Sequence, residues 1–283
     1  MHDELKKVLI VGLGLLGGSY AEGLKKVGYE VGAIDINDNS IKYALDKKII
    51  DHGMSNICEE YIKEFDLIIF ALYPKVLIEW LKANQRYIKK NAILTDVTGV
   101  KGWLIEELET FIREDIEFIG AHPMAGREVY GVENSNATIF KGANYIITPT
   151  KKSTKRAIDV AKKIGEVLEF KHIVVLSPEE HDEMIGFLSQ LTHCIAISLM
   201  TCKESEHLVE YTGDSFRDLT RIAKINENMW SELFLLNKEE LLTQMNLFIK
   251  EFNKLKEYIE EEYIEEMKDM MRLSTTRRKY FDK

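Results

Sequence analysis

The tightest constraint on what this chain can fold into is a run of glycines set directly behind a short apolar segment. Val8-Leu9-Ile10-Val11 is followed by Gly12-Leu13-Gly14-Leu15-Leu16-Gly17, a helix-compatible stretch, and Glu30-Val31-Gly32-Ala33-Ile34-Asp35. The apolar four predict a buried strand, and G-x-G-x-x-G spacing behind a strand predicts a dinucleotide-binding turn. The three glycines serve separate physical ends, namely a tight turn, room for a pyrophosphate against bare backbone, and close packing of helix on strand. The helix that follows presents unpaired N–H groups and positive partial charge to the phosphates. Asp35 stands about 20 residues on, where a carboxylate bonds a ribose 2′-hydroxyl and repels a 2′-phosphate, which favours NAD over NADP. The expected cofactor contacts are therefore Gly12, Gly14, Leu15, Leu16, Gly17 and Asp35.

Beyond Asp35, predicted strands at Asp66–Leu72, Ala92–Asp96, Ile116–Gly120, Tyr145–Thr148 and Ile173–Leu176 alternate with helical patterns. Such alternation implies right-handed crossovers and an α/β fold with a Rossmann-type, doubly wound, mostly parallel sheet. Ligands of such sheets bind beyond the strands' carboxyl ends. From Pro178 no strand pattern follows and apolar residues recur at helical spacing. The expected division is thus residues 1–177 for a nucleotide-binding domain and 178–283 for an all-α domain. Its last segment, Glu239 to Leu273, carries Leu242, Met245, Ile249, Phe252, Ile259, Tyr263, Met267 and Met270 near one stripe. One helix of ~50 Å, at 1.5 Å per residue, cannot bury that stripe on its own domain. A two-fold homodimer through these helices is expected.

The net charge of −9 argues against nucleic acid or an anionic membrane as the main partner, so an anionic ligand must be gathered by local cations. No apolar run near the ~20 residues of a membrane span is expected. The first seven residues lack a signal peptide's apolar core, and Cys58, Cys194 and Cys202 form no pattern. A cytoplasmic protein with reduced thiols and no metal site is expected.

Three segments carry possible chemistry. His122, in Gly120-Ala121-His122-Pro123-Met124-Ala125-Gly126-Arg127-Glu128, follows a strand and can take a hydroxyl proton as hydride leaves the carbon. Arg217 and Arg221 lie one helical turn apart; Arg217 beside Asp218 reads as an ion pair, and Arg221 as a cation suited to bidentate carboxylate binding. His181 and His193, twelve residues apart on a helix, are not a chelating pair. Each can face a cleft or sit satisfied in the core.

Together with the glycine fingerprint, Thr95-Asp96-Val97-Thr98-Gly99-Val100-Lys101, His122-Pro123-Met124-Ala125-Gly126, His181-Asp182, Thr192-His193, Phe216-Arg217-Asp218-Leu219-Thr220-Arg221-Ile222-Ala223 and Met229-Trp230 resemble the prephenate dehydrogenases. The motifs occur in the family's order over nearly the whole chain. The resemblance implies NAD-linked oxidative decarboxylation of prephenate to 4-hydroxyphenylpyruvate, on the route to tyrosine, and a helical C-terminal domain that dimerises. It implies that His122 contacts the C4 hydroxyl, that Arg221 binds a substrate carboxylate, and that His193 holds the other end. Glu128 matches an acidic residue at the entrance, and Trp230 one near the pocket. Thr98 and Gly99 fall at the substrate. Many members carry serine where this chain has Gly99, so Thr98 or water is expected to supply the missing donor to His122. The resemblance leaves no stretch for the regulatory ACT domain that some members append. Arogenate is the alternative substrate. A β-hydroxyacid dehydrogenase, which would need a catalytic lysine on the 181–200 helix, and a non-catalytic NAD-sensing module are the other readings.

Overall fold

The computed structural model describes residues 6–127, 129–204 and 207–282. Its first half alternates as expected: β1 (Lys7–Val11), α1 (Leu15–Lys26), β2 (Glu30–Ile34), α2 (Asp38–Asp46), β3 (His52–Met54), α3 (Glu59–Ile62), β4 (Leu67–Phe70) and α4 (Pro74–Asn84). Then come β5 (Ile93–Asp96), α5 (Gly102–Glu109), β6 (Glu117–Pro123), β7 (Asn144–Thr148), α6 (Lys155–Val167) and β8 (His172–Val175). The eight strands form one sheet in the order β3-β2-β1-β4-β5-β6-β7-β8. All neighbours run parallel except β6 and β7. The order reverses between β1 and β4, and register brings Val11, Ile34, Phe70 and Asp96 level at the carboxyl edge. That reversal is where such sheets leave a crevice.

The central strands are buried on both faces because successive side chains point to opposite sides. Val8, Ile10, Ala33, Ile69 and Ile93 pack under α1 and α6 with Tyr20, Leu24 and Ile164. Leu9, Val11, Ile68, Phe70 and Leu94 pack on the other face with Leu77, Leu81, Leu104 and Leu108 of α4 and α5. Each fully buried Leu or Ile contributes about 1.5–3 kcal/mol relative to exposure, so these two layers hold the edge that carries the site.

From Ser177 the chain is helical. Ser177 accepts from the Glu180 N–H while Glu180 accepts from the Ser177 N–H, and Pro178 occupies the first turn of α7 (Pro178–Ile185). This reciprocal cap fixes the start of α7, and with it His181 and Asp182. A five-residue π-turn (Gly186–Gln190) joins α7 to α8 (Leu191–Thr201) without a break. The remaining helices are α9 (Leu208–Tyr211), α10 (Asp214–Thr220), α11 (Glu227–Leu236), α12 (Lys238–Glu260) and α13 (Ile264–Arg278). The chain forms two compact units that meet in sequence at Asn237 and Lys238.

Four expectations change. β3 has only three residues, His52-Gly53-Met54, too few to show alternation. β6 runs on to Pro123, because antiparallel pairing with β7 opposes Gly120 to Thr148 and His122 to Ile146; His122 therefore lies in a strand rather than a loop. The final helix is two helices: Glu262 takes φ +52 and the Tyr263 N–H returns to Tyr258 O. The run Glu260-Glu261-Glu262 carries no apolar marker, so periodicity passes over the break. Finally, Pro178–Thr201 is 24 residues long with a window of mean hydropathy 1.4, enough by length and composition to cross a bilayer. Its His181, Asp182 and Gln190 are instead buried and bonded inside the first unit.

Candidate active site

The glycine turn has the shape its spacing requires. Gly12 takes φ +97, and a Cβ there would lie 2.5 Å from Ala71 O. A Cβ on Gly17 would lie 1.9 Å from Gly12 O, so helix and strand approach to backbone contact. A Cβ on Gly14 would meet nothing within 4 Å. That opening, in front of an α1 N-terminus with no side-chain cap, fits a pyrophosphate on bare N–H groups. Gly14, Leu15, Leu16 and Gly17 line a cavity of about 640 Å³; Gly12 lies behind it. Asp35, one residue past β2, accepts from Leu13 N at 2.5 Å and from Asn37 N at 2.8 Å. These bonds tie the carboxylate to the glycine turn while leaving lone pairs for ribose hydroxyls. Asp35 is not among the residues that line the cavity.

His122 lines the same cavity. Its Nδ1 lies 2.9 Å from His181 Nε2, and His181 Nδ1 lies 2.6 Å from Asp182 Oδ1. Asp182 also accepts from Lys101 N at 2.9 Å and Gly102 N at 2.8 Å, which caps α5 from 80 residues away. Three donors thus converge on one carboxylate. The proton positions follow in sequence. His181 donates Nδ1–H to Asp182, so neutral His181 accepts at Nε2 from His122 Nδ1–H, and neutral His122 keeps its lone pair on Nε2. Burial, the neighbouring His181 and the Lys101 ammonium hold the His122 pKa well below the ordinary imidazole value. Burial likewise lowers that of His181, against the opposing hydrogen bond to Asp182. The ring that meets the cavity is therefore a neutral proton acceptor at pH 7.

Of the two donors expected to replace the serine that many family members carry at position 99, Thr98 does not serve. It is 4% exposed and turned into the protein. Its hydroxyl lies 2.5 Å from Asp96 Oδ2 and 3.0 Å from Val100 O, and accepts from Lys101 Nζ at 3.0 Å. A hydroxyl engaged with a carboxylate and an ammonium has no donor left for His122. Thr98 shapes the wall through its backbone, beside Gly99. A Cβ on Gly99 would lie 3.8 Å from His122 Cε1 and 3.6 Å from Leu233, ordinary contacts, so the site has room for a side chain it lacks. His181 holds the His122 ring in this chain.

The opposite wall is helical. His193 donates Nδ1–H to Ser189 O at 2.8 Å, and its ring lies 3.7 Å from that of Trp230, centroid to centroid. Arg221 opens a 3-10 turn (Arg221–Ala223) behind α10. His193, Trp230 and Arg221 all line the cavity that His122 lines. Arg217 does not pair with Asp218; it reaches Asp214 at 3.6 Å on the exposed face of α10. Glu128 lies outside the described residues. His181, Asp182, Asp96 and Lys101 carry the site's internal bonding; of these the sequence singles out His181 alone, as a histidine of the cleft or of the core. The signal was their presence in the motifs Thr95–Lys101 and His181-Asp182.

Residues 20–174 match the family model described as prephenate dehydrogenase, nucleotide-binding domain, and residues 177–273 match prephenate dehydrogenase, dimerization domain. The chain belongs to the prephenate dehydrogenase family. The first of these matches begins behind the glycine turn. Prephenate dehydrogenase of Bacillus subtilis is 31% identical over 94% of this chain and 74% of its own length. That of Lactococcus lactis is 30% identical over 89% and 70%. Among solved structures, prephenate dehydrogenase from A. aeolicus in complex with hydroxyphenyl propionate and NAD+ has a TM-score of 0.90 at 33% identity. It covers 99% of this chain and all of its own. The eight-stranded sheet with flanking helices and the helical C-terminal part are those of this family's enzymes.

Proposed function

We propose that the cavity carries out the NAD-dependent oxidative decarboxylation of prephenate to 4-hydroxyphenylpyruvate, a step in tyrosine synthesis. The observation that carries this reading is the bonded series Asp182–His181–His122, which opens on a cavity that also reaches the glycine turn. Prephenate has a C4 hydroxyl across a cyclohexadiene ring from a C1 that bears a carboxylate. NAD, when bound, supplies the acceptor for the C4 hydride. His122 Nε2 takes the hydroxyl proton as hydride leaves C4; the C–CO₂ bond then breaks, its electron pair passes into the ring, and the proton returns to the C4 oxygen to give the aromatic phenol. His181 and Asp182 keep the accepting nitrogen bare and aimed.

Arg221 is assigned to a substrate carboxylate, and His193, steadied by Ser189 and Trp230, to the other end of the substrate. Arg127, Arg221 and Lys224 line the cavity, and among its described lining residues none is a carboxylate. The three cations suit the two carboxylates of prephenate.

Residues 1–177 are assigned to the nucleotide and residues 178–283 to substrate and dimer; the change of family model between 174 and 177 supports this division. A homodimer through the C-terminal helices accounts for the exposed Leu247, Ile249, Phe252, Ile259 and Met271. The free thiols of Cys58, Cys194 and Cys202 agree with a cytoplasmic location.

The direct test is the NADH absorbance band, which should rise on adding prephenate and NAD; the same assay with arogenate decides between the two substrates. A silent band with prephenate would refute the activity. For Arg221→Ala the expected result is a prephenate KM raised about 10- to 100-fold with a smaller change in kcat, since a charge-assisted ground-state contact is removed. A wild-type KM would withdraw the assignment of Arg221.

A further inference from the structure

Lys101 and Asp96 form an ion pair with no exposed side-chain surface on either partner. Taking two charges out of water costs several kcal/mol per ion, so the pair persists only with its hydrogen bonds filled. The three protons of Lys101 have three acceptors: Asp96 Oδ2 at 2.5 Å, Thr98 O at 2.9 Å and Thr98 Oγ1 at 3.0 Å. Asp96 Oδ1 accepts from Ala121 N at 3.1 Å, one residue before His122. The Lys101 main-chain N–H bonds Asp182, and a Cβ on Gly120 would lie 3.3 Å from Lys101 Cδ. One residue thus touches the end of β5, the strand that carries His122, and the helix that carries His181 and Asp182.

We propose that Lys101 is a positioning residue of the reaction: paired with Asp96 it clamps β5, β6 and α7 about His122 and is the fixed buried charge beside which that base works. This rests on the reading of His122 as the proton acceptor.

The charged and titratable groups packed about His122 are Asp96 of β5, Lys101 ahead of α5, and His181 and Asp182 of α7. Arg127, His193, Arg221 and Lys224 line the cavity it faces. A second positive charge on His122 would be held in a low-dielectric interior close to the first, where little water screens the repulsion. The ammonium acts in this sense on both His122 and His181, while Asp182 and Asp96 oppose it at His181. The sign follows directly. A base works when unprotonated, so a depressed pKa keeps kcat/KM level down to low pH. Removing the ammonium should bring the loss of activity up toward neutral pH.

The experiment is the pH profile of kcat/KM for prephenate with the full chain and NAD, for wild type, Lys101→Met, and the double variant Lys101→Met with Asp96→Asn. The double variant leaves no unpaired charge buried and retains an acceptor for Ala121 N. The expected result is an acid limb whose midpoint moves up by about one pH unit in whichever variants fold, a tenfold change in the protonation equilibrium. NADH affinity, read by fluorescence, should stay within about threefold of wild type, because the glycine turn is untouched. An acid limb at the wild-type position, with activity lost equally at all pH, would make the pair merely structural and overturn the proposal; failure of both variants to fold would do the same. A wild-type acid limb in the residual activity of His122→Asn would instead remove the underlying assignment of His122.

Discussion

His122→Asn is expected to lower kcat by about two to four orders of magnitude with little change in the prephenate KM. Asparagine can keep a hydrogen bond to His181 Nε2 through its amide N–H, so the strand and its neighbours need not move. What it cannot do is accept a proton from the C4 hydroxyl while hydride departs. The groups proposed to hold the substrate in the ground state, Arg221 and His193, are left alone by the substitution. A kcat within about threefold of wild type would exclude His122 from the proton transfer.

Asp182→Asn is the second large effect, an expected loss in kcat of about 10²- to 10⁴-fold, by the logic of a buried carboxylate that fixes a histidine tautomer. Gly102 N donates to Oδ2, whereas Lys101 N and His181 Nδ1 share Oδ1; an asparagine that keeps its oxygen on Gly102 N places its NH₂ at Oδ1, facing His181 Nδ1. His181 must then accept at Nδ1 and carry its proton on Nε2, where it donates to His122 Nδ1. The proton of His122 is driven to Nε2, the atom meant to receive one. Melting temperature reports whether the variant is folded, and kcat reports the tautomer. A folded variant with near-native kcat would show that the proton positions do not run through Asp182.

The sheet was legible in the sequence because its strands are short apolar runs closed by glycine, proline and asparagine. The glycine turn was legible residue by residue, since the same backbone geometry dictates which position needs positive φ, which must be open and which must touch. His122 and Arg221 could be singled out as chemical types in suggestive places. His181 could not be decided: a histidine beside an aspartate on an apolar helix looks the same in a core and in a relay. Only the fold shows that a carboxylate 80 residues from α5 caps that helix and aims the histidine. Thr98 misled for a related reason. Its sequence position neighbours Gly99 in the cavity wall, but its hydroxyl faces the Asp96–Lys101 pair, and alternation at a strand's end does not reveal which way the loop turns. The break at Glu262 was hidden because a turn between two helices of similar polarity leaves the apolar spacing almost in phase.

The π-turn between α7 and α8 has a geometric effect on the cavity. In a regular α-helix, positions 181 and 193 would be rotated about 120° apart, and only one could look toward the β6 edge. A wide turn absorbs one extra residue, which reduces that angle to about 20° by the same arithmetic. One helix can therefore serve the reacting end of the substrate through His181 and its far end through His193, without a second segment being recruited. The angular offset between those two duties is set by backbone winding at Gly186–Gln190 rather than by any side chain.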